Sequence, residues 1–102
     1  GKSTVAINLA AALAQMERVL LIDADMRRPS VAAALALPVN TSGLSDVLAH
    51  TAELDACVRK IDAGFDVLPA GTPPDNPQEM LSTLRFKTMV LGLSEHYDRI
   101  II

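Results

Sequence analysis

The chain is short of cysteine, of long apolar runs and of positive charge, and each shortage excludes a class of protein. One cysteine, Cys57, among 102 residues permits no internal disulfide framework and no cysteine-built zinc cluster. No apolar stretch approaches the ~18 residues that would read as a membrane helix. A net charge of −3 gives no sign of the basic patch of a nucleic-acid binder, so no nucleic-acid partner is expected. The two histidines, His50 and His96, stand far apart without metal-ligand spacing; solvated or helix-end histidine is the reading for both. No initiator methionine or signal peptide precedes Gly1, and the apolar run at Arg99–Ile102 stops abruptly. The expectation is an internal segment of a longer protein, cut at both ends. What is present is ordinary globular composition, half apolar and 21% charged, enough for one domain or part of one.

Along the chain, helical and strand patterns alternate. Val5, Leu9, Ala12, Leu13 and Met16 recur at helical spacing among alanines, which predicts a helix over 3–16 with that stripe as its apolar face. Arg18-Val19-Leu20-Leu21-Ile22-Asp23 is an apolar run bounded by charges, the pattern of a parallel strand covered on both faces. A loop follows to Pro29; Ser30 is placed to cap a short helix through Ala36 before Pro38 ends it. A turn at 40–43 leads to a short helix over 44–49, and short strands are expected at 57–61 and 65–69. The loop Gly71–Asp75 precedes Asn76-Pro77-Gln78-Glu79, a helix start with a cap, a first-turn proline and a glutamate. Phe86, Met89, Val90 and Leu93 share one helical face, and Tyr97-Asp98-Arg99 enters a last strand, Ile100–Ile102. Helices alternating with wholly apolar strands predict an α/β fold with a parallel sheet.

Two clusters carry chemistry. Gly1-Lys2-Ser3-Thr4 opening a helix matches the second half of the phosphate loop G-x-x-x-x-G-K-[ST]. There the backbone amides of a helix start face anionic oxygens, a lysine neutralises phosphate charge, and a hydroxyl ligates Mg²⁺. Ile22-Asp23-Ala24-Asp25 sets two acids at the carboxyl end of a buried strand, the end at which open parallel sheets bind ligands. Were the chain to stay extended, Asp23 and Asp25 would face the same side. Mg²⁺ in such sites takes few carboxylates and fills its octahedron with water and phosphate oxygens, so two acids can divide the work between metal and nucleophile. The competing reading makes them solvated residues leaving a strand.

Asp23-Ala24-Asp25-Met26-Arg27-Arg28-Pro29 resembles the second Walker motif of the bacterial protein-tyrosine kinases of exopolysaccharide and capsule synthesis. Gly43–Leu48, Leu68–Gly71, Pro73–Leu81 and Tyr97–Ile102 resemble further segments of that family in the same order, nearly the whole chain long. The resemblance implies a P-loop NTPase fold of three layers, of which residues 1–102 form a part truncated at both ends. It implies that Gly1, Lys2, Ser3 and Thr4 bind the phosphates of ATP. Asp23 is expected as the base or hydroxyl-orienting acid beside Lys2, with Asp25 and Arg27 at the nucleotide. Ser3, Asp23 and Asp25 are expected at Mg²⁺. A carboxylate of pKa ~4 is a weak base for a phenol of pKa ~10, so Asp23 would position the hydroxyl and take its proton late. For Arg28 an ion pair with an acidic neighbour is expected.

The implied activity is ATP-dependent autophosphorylation on tyrosine, regulating exopolysaccharide or capsule synthesis and export. The implied partners are other copies in a ring that phosphorylate one another, and a transmembrane chain-length or activator domain in the same or a separate chain. The implied place is the cytoplasmic face of the inner membrane, which the scarcity of cysteine suits. The family's Walker B aspartate, the first half of its phosphate loop and its tyrosine cluster are missing from these residues, so the segment alone is expected to be inactive and marginally folded. Tyr97, the one tyrosine, reads as structural, and Cys57 as a small core residue. Rival readings are a partition or septum-site ATPase, which hydrolyses ATP and phosphorylates no protein, and a nonenzymatic ATP-binding regulator of polysaccharide export.

Overall fold

The computed structural model describes residues 2–28, 30–38 and 41–102. The chain runs α1 (Lys2–Leu13), β1 (Val19–Ile22), α2 (Val31–Ala34), α3 (Leu44–Leu48), α4 (Leu54–Cys57), β2 (Arg59–Lys60), β3 (Asp66–Leu68), α5 (Pro77–Leu81), α6 (Leu84–Leu93) and β4 (Arg99–Ile101). The strands form one sheet in the order β2-β3-β1-β4.

All four residues of β1 are buried, as a strand with both faces covered requires. Its side chains alternate between two cores. Leu20 and Ile22 pack with Leu44, Leu48, Leu68 and Leu93 beneath α3 and α6; Val19 and Leu21 pack with Ala10, Val31, Phe65 and Val67 beneath α1 and α2. The strand's period of two thus produces three layers, helices on both faces of a central sheet. Each fully buried leucine or isoleucine stabilises the fold by roughly 1.5–3 kcal/mol. β1 pairs in parallel with β3 and with β4, because helices carry the chain back across the sheet between them.

The edge strand β2 departs from the parallel expectation. It runs antiparallel to β3, pairing Arg59 with Val67 and Lys60 with Asp66. A tight turn joins the two, closed by hydrogen bonds from Ile61 N to Phe65 O and from Gly64 N to Ile61 O, both 2.9 Å. A connection that short can only reverse the chain, and Gly64 at φ +103° supplies the left-handed residue it needs. The strand expected over 57–61 is correspondingly reduced to two residues, and Cys57 belongs to the last turn of α4. Cys57 is buried, and burial pushes its thiol pKa up, consistent with a core role.

The apolar stripe predicted for the first helix is corrected. Ala6, Ile7, Ala10, Leu13 and Ala14 face the sheet, whereas Val5, Leu9 and Met16 are 68%, 48% and 93% exposed. Of the predicted stripe only Leu13 lies on the packed face; alanines beside it and Ile7 let α1 lie close against β1. The helix also ends at Leu13 rather than reaching Met16.

Two expected caps take other roles. The Asn76 side chain caps no amide and instead donates from Nδ2 to Glu79 Oε2 at 2.7 Å, while Pro77 starts α5 as predicted. The Ser30 side chain makes no cap bond to α2, which ends at Ala34 rather than Ala36. Thr83, whose hydroxyl accepts from Phe86 N at 3.3 Å, separates α5 from α6. On α6 the predicted face holds, with Leu93 in the core and Phe86, Met89 and Val90 packed against it. The turn predicted at 40–43 includes Asn40, outside the described residues. Among the described residues no helix is long and apolar enough to cross a membrane.

At the amino ends of the parallel strands, side chains tie the sheet together. Tyr97 donates its hydroxyl to Asp66 Oδ2 at 2.6 Å, Arg18 N donates to Asp98 Oδ2 at 2.8 Å, and Arg99 grips Glu17 through two 2.9 Å bonds. The opposite end of the sheet is left for the candidate site.

Candidate functional site

The carboxyl end of β1 and the amino end of α1 meet at a cleft of about 440 Å³ lined by Lys2, Ser3, Asp23, Asp25, Ser30, Val31 and neighbouring apolar residues. β1 carries Asp23 there because the sheet ladder extends one residue beyond Ile22, with Asp23 N donating to Leu68 O at 3.0 Å. α1 carries Lys2 and Ser3 there because Ala6 and Ala10 seat the helix on the sheet. The cleft therefore gathers four of the residues predicted from sequence. Thr4 and Arg27 are exposed and are not among its lining, and Gly1 lies outside the described residues.

Asp23 is 6% exposed. Its Oδ1 accepts from Asp25 N at 3.0 Å and its Oδ2 from Val31 N at 3.3 Å. Burial raises its pKa, the charge of Asp25 adds to the rise, and the backbone amides only partly oppose it. A carboxylate so placed accepts a proton more readily than a solvated one.

The last ladder bond is made by Asp23 N, after which the chain turns. Asp25 N folds back onto the Asp23 carboxylate, and Met26 N bonds to Ala24 O at 3.1 Å. The two acids reach the cleft by this turn rather than by strand alternation, and they differ in environment, Asp23 buried and Asp25 exposed. Asp25 Oδ1 accepts from Arg28 N at 3.1 Å. This backbone bond replaces the ion pair expected of Arg28, which does not occur among the described residues.

A hydroxyl, two carboxylates and a lysine facing one cleft form an oxygen-rich donor set suited to a hard cation together with an anion. Among the described residues no group of three or more His, Cys, Asp or Glu side chains is arranged to hold a metal by itself. His50 and His96 are exposed and line no part of this cleft.

The sequence reading missed one residue of the cleft. Ser30 was assigned to capping, yet its hydroxyl is hydrogen-bonded to that of Ser3. The contact spans 27 residues, beyond the reach of local spacing.

Beside the cleft, the segment beginning at Gly43 docks on the loop leaving β3. Leu44 N donates to Pro69 O at 2.7 Å and Ser45 N to Ala70 O at 3.0 Å, while Asp46 Oδ2 accepts from Gly43 N at 2.9 Å and Thr72 N at 3.2 Å. Burial works to raise the Asp46 pKa, but these amides outweigh it and hold the carboxyl below its ordinary value.

Residues 1–95 match the family model of the CobQ/CobB/MinD/ParA nucleotide binding domain. The chain is 41% identical over 104 aligned residues to the Tyrosine-protein kinase wzc of Salmonella typhi, an alignment covering 100% of this chain and 14% of that protein. Its structure is similar to that of the VpsO kinase domain, with a TM-score of 0.95, 40% identity and coverage of 100% of this chain and 51% of that one. It is also similar to the septum site-determining protein MinD of Pyrococcus horikoshii OT3 complexed with Mg-ADP, with a TM-score of 0.79, 28% identity and coverage of 100% and 42%. The chain thus spans a small part of that curated relative and about half of the VpsO domain.

Proposed function

The chain belongs to the CobQ/CobB/MinD/ParA nucleotide-binding domain family, and from this premise we propose that it is the ATP-binding part of a bacterial protein-tyrosine kinase. The observation that carries this reading is the convergence of Lys2 and Ser3 with a nearly buried Asp23 in one cleft. The likeness to wzc and to the VpsO kinase domain favours tyrosine as acceptor over water.

In this reading the first amides of α1 and the Lys2 ammonium hold the phosphates of ATP. Thr4 adds its amide there, and Gly1 and Arg27 complete the nucleotide's surroundings. Ser3, Asp23 and Asp25 hold Mg²⁺. When bound, Mg²⁺ neutralises charge on the transferring phosphoryl group. Asp23 accepts a hydrogen bond from the tyrosine hydroxyl, orients its oxygen toward the γ-phosphorus and takes its proton as the new P–O bond forms.

The partners in this reading are further copies of the protein, assembled in a ring whose members phosphorylate one another's tyrosines. A membrane-spanning activator domain places that ring on the cytoplasmic face of the inner membrane, and the biological output is control of exopolysaccharide or capsule synthesis.

The test is to incubate the longer protein that contains this chain with Mg-ATP and probe for phosphotyrosine, with Lys2→Met as control. Label on tyrosine that disappears in the variant is the expected result. ATP hydrolysis without phosphotyrosine would move the protein to the partition and septum-site ATPases, with Asp23 orienting water.

A further inference from the structure

We propose that Ser30 is a positioning residue that holds the Ser3 hydroxyl in the orientation needed to ligate a divalent cation; this rests on the reading of Ser3 as a Mg²⁺ ligand. Ser3 lies in the first turn of α1 and Ser30 immediately before α2, and their hydroxyls are hydrogen-bonded to one another. Ser30 is not occupied as a helix cap. The next amide along, Val31 N, donates to Asp23 Oδ2 at 3.3 Å, while the Val31 side chain, 5% exposed, is packed with Ala10 and Leu21. A single step of chain, anchored by Val31, therefore touches both the candidate metal hydroxyl and the candidate base.

The chemistry gives this contact a direction. A neutral serine ligates a cation through an oxygen lone pair, so its proton must point away from the cation toward an acceptor. Ser30 Oγ is that acceptor. With the Ser3 proton committed to Ser30, the Ser3 lone pairs are directed into the cleft that Lys2, Asp23 and Asp25 also line. An outer partner that fixes the orientation of a ligand in this way typically changes metal affinity by about 10–100-fold. Ser30 is exposed and supports no core packing of its own, so its replacement separates this role from folding.

The experiment titrates Mg²⁺ into the complete kinase domain containing this chain, at fixed methylanthraniloyl-ADP, and follows the fluorescence of bound nucleotide. Ser30→Ala is expected to raise the Mg²⁺ concentration at half-saturation by about 10-fold, and Ser30→Thr, which keeps the hydroxyl, to restore it. On a Ser3→Ala background, Ser30→Ala is expected to add nothing further, because the residue acts through Ser3. An unchanged Mg²⁺ midpoint in Ser30→Ala, a Thr variant as impaired as Ala, or an additive effect on the Ser3→Ala background each overturns the proposal. Nucleotide binding by the parent domain that ignores Mg²⁺ overturns the underlying reading of Ser3 as well, and is distinguished because it is seen before any substitution at Ser30.

Discussion

Replacing Gly43 with alanine adds one carbon at the place where the segment entering α3 crosses the loop leaving β3. An ideal Cβ there lies 2.1 Å from Pro69 O, 2.6 Å from Pro69 C and 2.7 Å from Gly71 N. All three atoms are backbone, so no side chain can swing aside. Ordinary contact needs roughly 3.5 Å, and the two segments must part by about 1 Å or more. That separation breaks the bonds from Leu44 N to Pro69 O and from Ser45 N to Ala70 O, each contributing about 1 kcal/mol. Residual overpacking adds about 1–3 kcal/mol. The expected loss is about 3–5 kcal/mol, against a total stability of about 5–15 kcal/mol for a typical domain. Because Gly43 has φ −159°, an extended value open to any residue, the effect is steric alone. Gly92 supplies the contrast: nothing lies within 4 Å of its added Cβ, and it sits inside α6. Gly92→Ala should therefore stabilise by about 0.5–1 kcal/mol. Urea unfolding of both variants in the domain that carries this chain reads the two signs. A Gly43→Ala midpoint equal to the parent's would refute the steric argument, and a destabilised Gly92→Ala would refute the contrast.

Asp23→Asn is expected to lower tyrosine phosphorylation by about 10²–10⁴-fold while the fold persists, relief of a buried charge offsetting the one backbone amide that loses its acceptor when a carboxylate oxygen becomes an NH₂ group. A variant that melts earlier yet retains its rate would show Asp23 to be structural. Tyr97 is the chain's one tyrosine and no tryptophan is present, so in this chain tyrosinate absorbance reports it alone. Burial, followed by the hydrogen bond to Asp66 and its charge, pushes its pKa up to about 12. The stability this group adds is full below the unfolded value of about 10 and is lost as pH rises through about 12. A spectrophotometric titration with a midpoint near that of free tyrosine would mean the Tyr97–Asp66 bond is absent in solution.

Where a residue's surroundings are local or uniformly apolar, the sequence was legible. Val19–Ile22 is covered on both faces, so four apolar residues in a row had one reading; Pro77 and the Phe86–Leu93 face likewise followed from local geometry. The face of α1 did not, because an alanine-rich helix is apolar on most sides, and its alanines can pack against the sheet as well as its larger residues. The direction of β2 depends on the tight turn at Gly64, which composition alone did not separate from a loop. At the candidate site, Lys2, Ser3, Asp23 and Asp25 were legible from motif. The contact of Ser30 with Ser3 was not, since it arises only when α2 folds back over α1.

The two ends of the sheet divide their tasks, and the division follows from how polar groups are satisfied. At the amino ends of β1, β3 and β4, side chains pair with one another: Tyr97 with Asp66 and Arg99 with Glu17. Such partners spend their capacity on each other and leave little for a ligand. At the carboxyl ends, Asp23 and Asp25 are held instead by backbone amides, each of which occupies one lone pair of an oxygen that has more to offer. The carboxylates are thus oriented, and among the described residues neither is in an ion pair. A lysine and a hydroxyl at the start of α1 stand on the other side of the same cleft. In the proposed reading, this negative charge facing a helix start suited to anions is the arrangement that a magnesium-bound nucleotide would complete.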